Sequence, residues 1–298
     1  MEKKEFENYI KAGKIASEIR EKAKKFIKKD MLLVEIAEFI EKSIEESGGK
    51  PAFPVNLSTN EIAAHYTPSI KDKKKAEGLL KVDFGVEIEG YIADLAFSLD
   101  LTHEKKFEEI INLNEEILKK TIDSLNYESK ISDIGEKISE LLKGKKFNIV
   151  KNLTGHTLQQ YQIHASPSIP NIKTNDKTPL KEKAIAIEPF LTTGVGEVIE
   201  SSPSEIFMLV DENKKPRNNE SRKILDFIKK EYKTKPFCKR WLEKKAYKTI
   251  YLFFLEKENI IYNFPILIEK SKAPVSQTEE TLIFFEEKKI IITSNILK

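Results

Sequence analysis

In the run LLKVDFGVEIEGYIADLAFSLD, residues 79–100, apolar residues alternate with others on both sides of Glu89-Gly90. Period-two alternation around a two-residue turn signal specifies an antiparallel β-hairpin. With Glu89-Gly90 as the turn, Gly85 faces Asp94 and Asp83 faces Ala96. Residues two apart share a face, so Asp83 and Asp94 become diagonal neighbours with Cβ atoms about 7 Å apart. Val82, Phe84, Val86, Ile88, Tyr91, Ala93, Leu95 and Phe97 form the other face and are expected to be core. Two carboxylates on the polar face, read as having no Lys or Arg beside them, repel each other unless a cation lies between. A metal pair meets that need.

Around the hairpin the period is helical. Tyr9, Ile10, Gly13 and Ala16 set one helix, and Leu33, Ile36, Ala37, Ile40 and Ile44 a second that stops at Gly48-Gly49. Helical spacing returns at Phe107, Ile110, Ile111, Ile117 and Leu118, and again at Ile134, Ile138, Leu141 and Leu142. Strand-like runs follow in FNIVKNLTGH, KAIAIEPFL and EIFMLV. The order helix, helix, strands thus occurs twice, which predicts two similar halves without a visible sequence repeat. Residues 207–266 read as a helical subdomain inserted into the α+β body formed by residues 1–206 and 267–298, because strand signals resume only at VSQTEETLIFFEE.

Composition excludes several classes. Lys and Arg number 51 against 48 Asp and Glu, a formal charge of +3, too weak a field for nucleic acid as the main ligand. The longest apolar runs, such as Ile250 to Leu255, fall far short of the roughly twenty residues that span a bilayer. The N-terminus lacks a secretory apolar stretch. The lone Cys238 cannot form an internal disulfide, so a cytoplasmic setting is expected.

Three further segments offer ligands: His156 after Gly155, Glu188 inside AIAIEPFL, and Glu279 in VSQTEETLIFF. With Asp83 and Asp94 they make an oxygen-rich set with one imidazole, suited to two divalent ions about 3.5 to 4 Å apart. Each has an ordinary reading as well: hairpin aspartates on the surface, a strand-end Glu188 paired with a lysine, a turn histidine, a solvated strand edge at Glu279.

The runs PAFPVNLSTNEIAAHYTP, KVDFGVEIEGYIADLAFSLD, NLTGHTLQQYQIHASPSIPN, AIAIEPFLTTGVGEVIE and VSQTEETLIFF resemble, in order and spacing, the type 2 methionine aminopeptidases, most closely the short archaeal form. The resemblance covers essentially the whole chain, including YKTKPFCKRWL and IIYNFPIL in the helical insert. It implies the pita-bread fold, whose two related halves surround a dinuclear site. It carries the metal ligands onto Asp83, Asp94, His156, Glu188 and Glu279, the catalytic histidines onto His65 and His164, and the general base onto Glu188. The methionine pocket maps onto Phe53, Ile163 and Phe264, with Phe264 standing where relatives often have tyrosine.

Cobalt, manganese, iron, zinc and nickel all accept this ligand set, and the sequence leaves the choice among them open. The resemblance implies N-terminal methionine of peptides and nascent chains as substrate and a monomer; ribosome contact stays open, and the short apolar runs speak against a membrane. Two rivals remain: a proline-specific peptidase of the same fold, and a non-catalytic pita-bread homologue that binds ribosomes or nucleic acid. One departure stands out. Where relatives commonly read QFEHT, this chain has Gln277, Thr278, Glu279, Glu280 and Thr281. Alternation places Glu280 on the face opposite Glu279. The fourth histidine, His103, reads as an exposed residue near a helix start.

Overall fold

The computed structural model describes residues 1–294. Helices α1 (Lys3–Phe26) and α2 (Leu33–Glu46) lead into the short strands β1 (Lys50–Pro51), β2 (Asn56–Thr59) and β3 (Ile62–Ala64), then the long hairpin β4 (Leu79–Ile88) and β5 (Tyr91–Asp100). The second half repeats this plan with α3 (Glu108–Ser124) and α4 (Ile131–Leu142), then β6 (Asn148–Ile149), the hairpin β7 (Thr154–Gln159) and β8 (Gln162–Pro170), β9 (Ala184–Ile187), β10 (Phe190–Thr192) and β11 (Val198–Leu209). Next come α5 (Asn219–Glu231), β12 (Phe237–Cys238), α6 (Lys239–Lys244), a 3₁₀ turn at Thr249–Tyr251 and α7 (Leu252–Lys257). Strands β13 (Ile261–Glu269), β14 (Val275–Gln277), β15 (Glu280–Phe285) and β16 (Lys288–Ile291) complete the described chain. The class is α+β.

The pairing explains how the halves meet. All strand pairs are antiparallel, and β16-β15-β9-β7-β8 form the largest sheet, while β4 joins β1, β2 and β5. At the tip of the first hairpin Glu89 and Gly90 both have positive φ, 53° and 89°, the backbone of a type I′ turn that matches strand twist. The apolar stripes close over the sheets. Leu33, Ile36, Ala37, Ile40 and Ile44 of α2 are fully buried with Val82, Phe84 and Val86 of β4 in one cluster. Ile110, Ile117, Leu118, Ile134 and Ile138 pack with Ile185, Ile187 and Phe284 in another. Each such side chain contributes on the order of 2 kcal/mol by leaving water. A third cluster, centred on Phe207, Ile224, Ile228, Phe237 and Leu255, lies under α5 and α7.

Strand β13 begins inside the stretch whose pattern reads as helical. Its register against β11 shifts twice near Pro203 and Pro265, and most of its residues are half-buried, which hides the alternation that marks a strand.

Candidate metal centre and substrate cavity

The hairpin pairs in the register read from its turn, with Gly85 opposite Asp94 and Asp83 opposite Ala96. Asp94 is 3% exposed, and Thr281 Oγ1 donates to its carbonyl at 2.7 Å while accepting its N–H at 2.8 Å. Glu188 follows β9 and Glu279 precedes β15, so both leave the ladder where the chain bends. Their backbones are nevertheless held. The Glu279 N–H donates to the Ala96 carbonyl at 2.9 Å, and Asn171 Nδ2 donates to the Glu188 carbonyl at 3.0 Å. Asn114, buried on α3, donates to the carbonyls of Pro189 (2.9 Å) and Ser276 (3.1 Å).

His156 Nε2 lies 3.5 Å from Asp94 Oδ2, 3.6 Å from Glu188 Oε1 and 3.9 Å from Glu279 Oε1. Asp94, His156 and Glu279 each offer a ligand atom within 4.8 Å of the others. Asp83 and Glu188 stand beside this trio and are bridged by Gln277, whose Nε2 donates to Asp83 Oδ2 at 3.2 Å and Glu188 Oε2 at 3.4 Å. Burial pushes the Asp83 carboxyl up to about 7. Burial and then the neighbouring carboxylates hold Asp94, Glu188 and Glu279 well above the usual range. Burial and the His164 ring push His156 down to about 3, so the imidazole is neutral.

Lysine is closer than the sequence reading allowed. Lys81 shares the strand and parity of Asp83 and is 1% exposed, but its Nζ donates to the Asn60 carbonyl at 2.8 Å. Among the described residues the only basic side chain within 4.0 Å of the Asp94, Glu188 and Glu279 carboxylates is His156. Asp83 Oδ1, Asp94 Oδ1 and Glu279 Oε1 are buried without a hydrogen-bond partner among those residues. Buried carboxylates with unpartnered oxygens, crowded around a neutral imidazole, are costly by themselves and match the donor set of divalent cations. The residues therefore fit such ions.

Above this cluster opens a cavity of about 420 Å³ lined by Phe53, His65, Ile163, His164 and Phe264 together with Asp83, Asp94, His156, Glu188 and Glu279. Every site residue expected from the sequence is thus brought to one place. His65 adopts a left-handed backbone, φ 66°, a conformation costing on the order of 1 kcal/mol or more outside glycine. Its Nδ1–H donates to the Pro265 carbonyl at 3.0 Å, which leaves Nε2 as the lone-pair nitrogen. Burial lowers its pKa. The His164 ring lies edge-on to His156, centroids 4.7 Å apart, and burial followed by His65 pushes it down to about 4. Phe264 stands edge-on to His65 at 5.3 Å. Gly85 admits the Phe53 ring so closely that a Cβ there would meet Phe53 Cε1 at 2.6 Å. His103 is exposed and remote, with Lys29 Nζ 3.2 Å from its Nε2.

The departure at Glu280 has a partner. Arg20 Nη1 donates to Glu280 Oε1 at 2.6 Å, on the side away from the cavity, where Thr278 and Glu280 line a separate void with Arg20 and Phe97. Sequence reasoning missed Gln277, Asn114, Asn171 and Thr281 as supports. Two carried a signal: Gln277 shares the parity of Glu279, and Asn114 interrupts the apolar stripe of Ile110, Ile111, Ile117 and Leu118.

Comparison with known proteins agrees with this geometry. The family model described as metallopeptidase family M24 matches residues 7–206. A methionine aminopeptidase of Thermococcus onnurineus is 42% identical over 296 residues, covering 97% of this chain and 99% of its own. Among solved structures, a thermophilic Arx1 superposes with a TM-score of 0.84 at 15% identity, over 100% of this chain and 92% of its own. The methionine aminopeptidase of Thermotoga maritima gives 0.72 at 19% identity, over 99% and 98%. These two establish the pita-bread fold alone, whereas the family model and the full-length identity to the archaeal enzyme carry the assignment. The chain belongs to metallopeptidase family M24, among its methionine aminopeptidases.

Proposed function

We propose that this chain hydrolyses the first peptide bond of substrates beginning with methionine, using two divalent ions held by Asp83, Asp94, His156, Glu188 and Glu279. One observation carries the reading: clustered buried carboxylates, three of whose oxygens lack a partner among the described residues, line a cavity that also holds two histidines and an apolar trio. Bound there, the ions supply Lewis acidity and lower the pKa of water. Manganese, cobalt, iron, zinc and nickel all suit this donor set.

The chain's own groups do the rest. Glu188, lining the cavity, takes a proton from the attacking water and returns it to the leaving amine. His65 presents Nε2 as an acceptor, because Nδ1–H is committed to Pro265, and so receives the N–H of the scissile amide. His164, neutral and free to donate from one ring nitrogen, supports the carbonyl oxygen as charge develops. Phe53, Ile163 and Phe264 offer an apolar slot for an unbranched thioether. The substrate's free amine binds at the Asp83 side, which limits cleavage to the first residue.

We also infer nascent chains at the ribosome as the physiological substrates, in the cytoplasm, with the monomer as the working unit. No helix among the described residues is long and apolar enough to cross a membrane. The test is release of methionine from Met-Ala-Ser with each metal, beside Ala-Pro and Xaa-Pro peptides, with Glu188→Gln as control. Methionine release that vanishes in the control is expected. Release from proline substrates alone, or no activity with any metal, would overturn the reading.

A further inference from the structure

The stretch that runs from the end of α5 through β12 into the first turn of α6 touches both polypeptide segments that carry the cavity histidines. Arg240, 0% exposed, grips Glu41 through two contacts of 2.5 and 2.8 Å. Its Nε donates to the Pro68 carbonyl at 3.0 Å and its Nη2 to Thr67 Oγ1 at 3.4 Å. Those two residues follow His65 by two and three positions. Glu41 in turn accepts the Val55 N–H at 3.4 Å, two residues beyond Phe53. At the other end, Thr234 Oγ1 donates to the Tyr161 carbonyl at 2.5 Å, and Lys233 Nζ lies 3.4 Å from the centre of the Tyr161 ring. Tyr161 is in the turn that precedes Ile163 and His164. Lys235, 3% exposed, pairs with Glu87, whose other oxygen accepts the Gly90 N–H at 2.6 Å. Gly90 then receives the Tyr161 N–H on its carbonyl at 2.7 Å. Between the two grips, Pro236 lines the cavity itself.

We propose that residues 233–240 act as a strap that sets the relative position of His65 and His164, with Lys233, Thr234 and Arg240 as positioning residues. The strap rests on the proposed peptidase reading for its consequence, since the spacing of the histidines matters to a substrate amide held between them. Its geometry is independent of the metal ligands, none of which it contacts through the bonds described. His65 needs such a restraint more than most residues, because its left-handed backbone would relax if Thr67 and Pro68 were released.

The full-length chain has four histidines, few enough for each imidazole to be followed by ¹⁵N-histidine NMR after assignment with single His→Gln variants. Lys233→Ala with Thr234→Ala removes exposed contacts only and should fold. Arg240→Lys tests the buried end. In the double variant the His164 ring signals should shift while those of His103 stay fixed, and Mn²⁺ stoichiometry and affinity should match wild type. With a Met-Ala-Ser substrate kcat should fall about tenfold with KM little changed, as expected for misplaced reacting groups. Unchanged His164 signals with unchanged kcat would overturn the strap. So would movement of all four imidazoles together with weaker Mn²⁺ binding, which marks general loosening. If wild type fails to release methionine, the peptidase reading falls while the imidazole signals still decide the strap.

Discussion

Arg20 of the first helix and Glu280, one residue beyond the proposed ligand Glu279, form an ion pair of 2.6 Å across 260 residues of sequence. Arg20 Nη2 also donates to the Thr293 carbonyl at 2.9 Å, and Glu280 accepts from Thr293 Oγ1. The side chains are 11% and 16% exposed, so loss of one partner strands a poorly solvated charge. Arg20→Met should cost about 2 kcal/mol in denaturant unfolding, and adding Glu280→Gln should recover part of it. Equal stability of the single and double variants would show that the pair is not coupled.

Gly85 stands opposite Asp94 and leaves room for Phe53. Gly85→Ala would place a methyl group 2.6 Å from Phe53 Cε1 and 2.9 Å from Ala52 Cβ. Overpacking of this kind costs about 1–3 kcal/mol. Because Phe53 lines the proposed thioether slot, KM for Met-Ala-Ser should rise more than kcat falls, which steady-state kinetics will show.

The carboxylate cluster predicts an unusual pH dependence for the metal-free chain. Near pH 7 His65, His156 and His164 are neutral when folded, and their unfolded counterparts, losing the last of their protons above the ordinary value of 6.5, oppose the carboxyls only weakly. The carboxyls then decide. Asp83 keeps its proton to about pH 7 when folded against an ordinary value of 3.8, and Asp94, Glu188 and Glu279 are shifted the same way. The folded state holds more protons than the unfolded one, so stability falls as pH rises through 7. With Mn²⁺ the sign should reverse, since ligands bind metal deprotonated. Melting curves in EDTA and in Mn²⁺ between pH 6.5 and 8 test both halves.

Asn114→Leu should lower stability by about 2–3 kcal/mol, because two buried carbonyls lose their donor. Those carbonyls belong to Pro189 and Ser276, which adjoin Glu188 and Gln277. Weaker Mn²⁺ binding should accompany the loss, measurable by calorimetric titration.

Local rules made the hairpin legible. Its two-residue turn fixes the register, and the register puts Asp83 and Asp94 on one face. The other proposed ligands were legible as chemical types in the wrong surroundings, a carboxylate within AIAIEPFL or a glutamate in an alternating run. Their placement was less so, since Glu188 and Glu279 sit at breaks between strands. Lys81 was overlooked although its parity matches Asp83, because only the folded chain shows the Asn60 carbonyl that occupies it. Contacts such as Arg20 to Glu280 and Arg240 to Glu41 join residues about two hundred or more positions apart. No periodicity in either segment announces its partner.

The N–H of Glu279 rests on the carbonyl of Ala96, so the last carboxylate arrives only when the first hairpin and the final strands come together. During synthesis the proposed centre therefore stays incomplete until Glu279 and the strands around it have been made. A product that stops before Glu279 would lack one proposed ligand and is expected to release no methionine, so an unfinished chain would be an inert one.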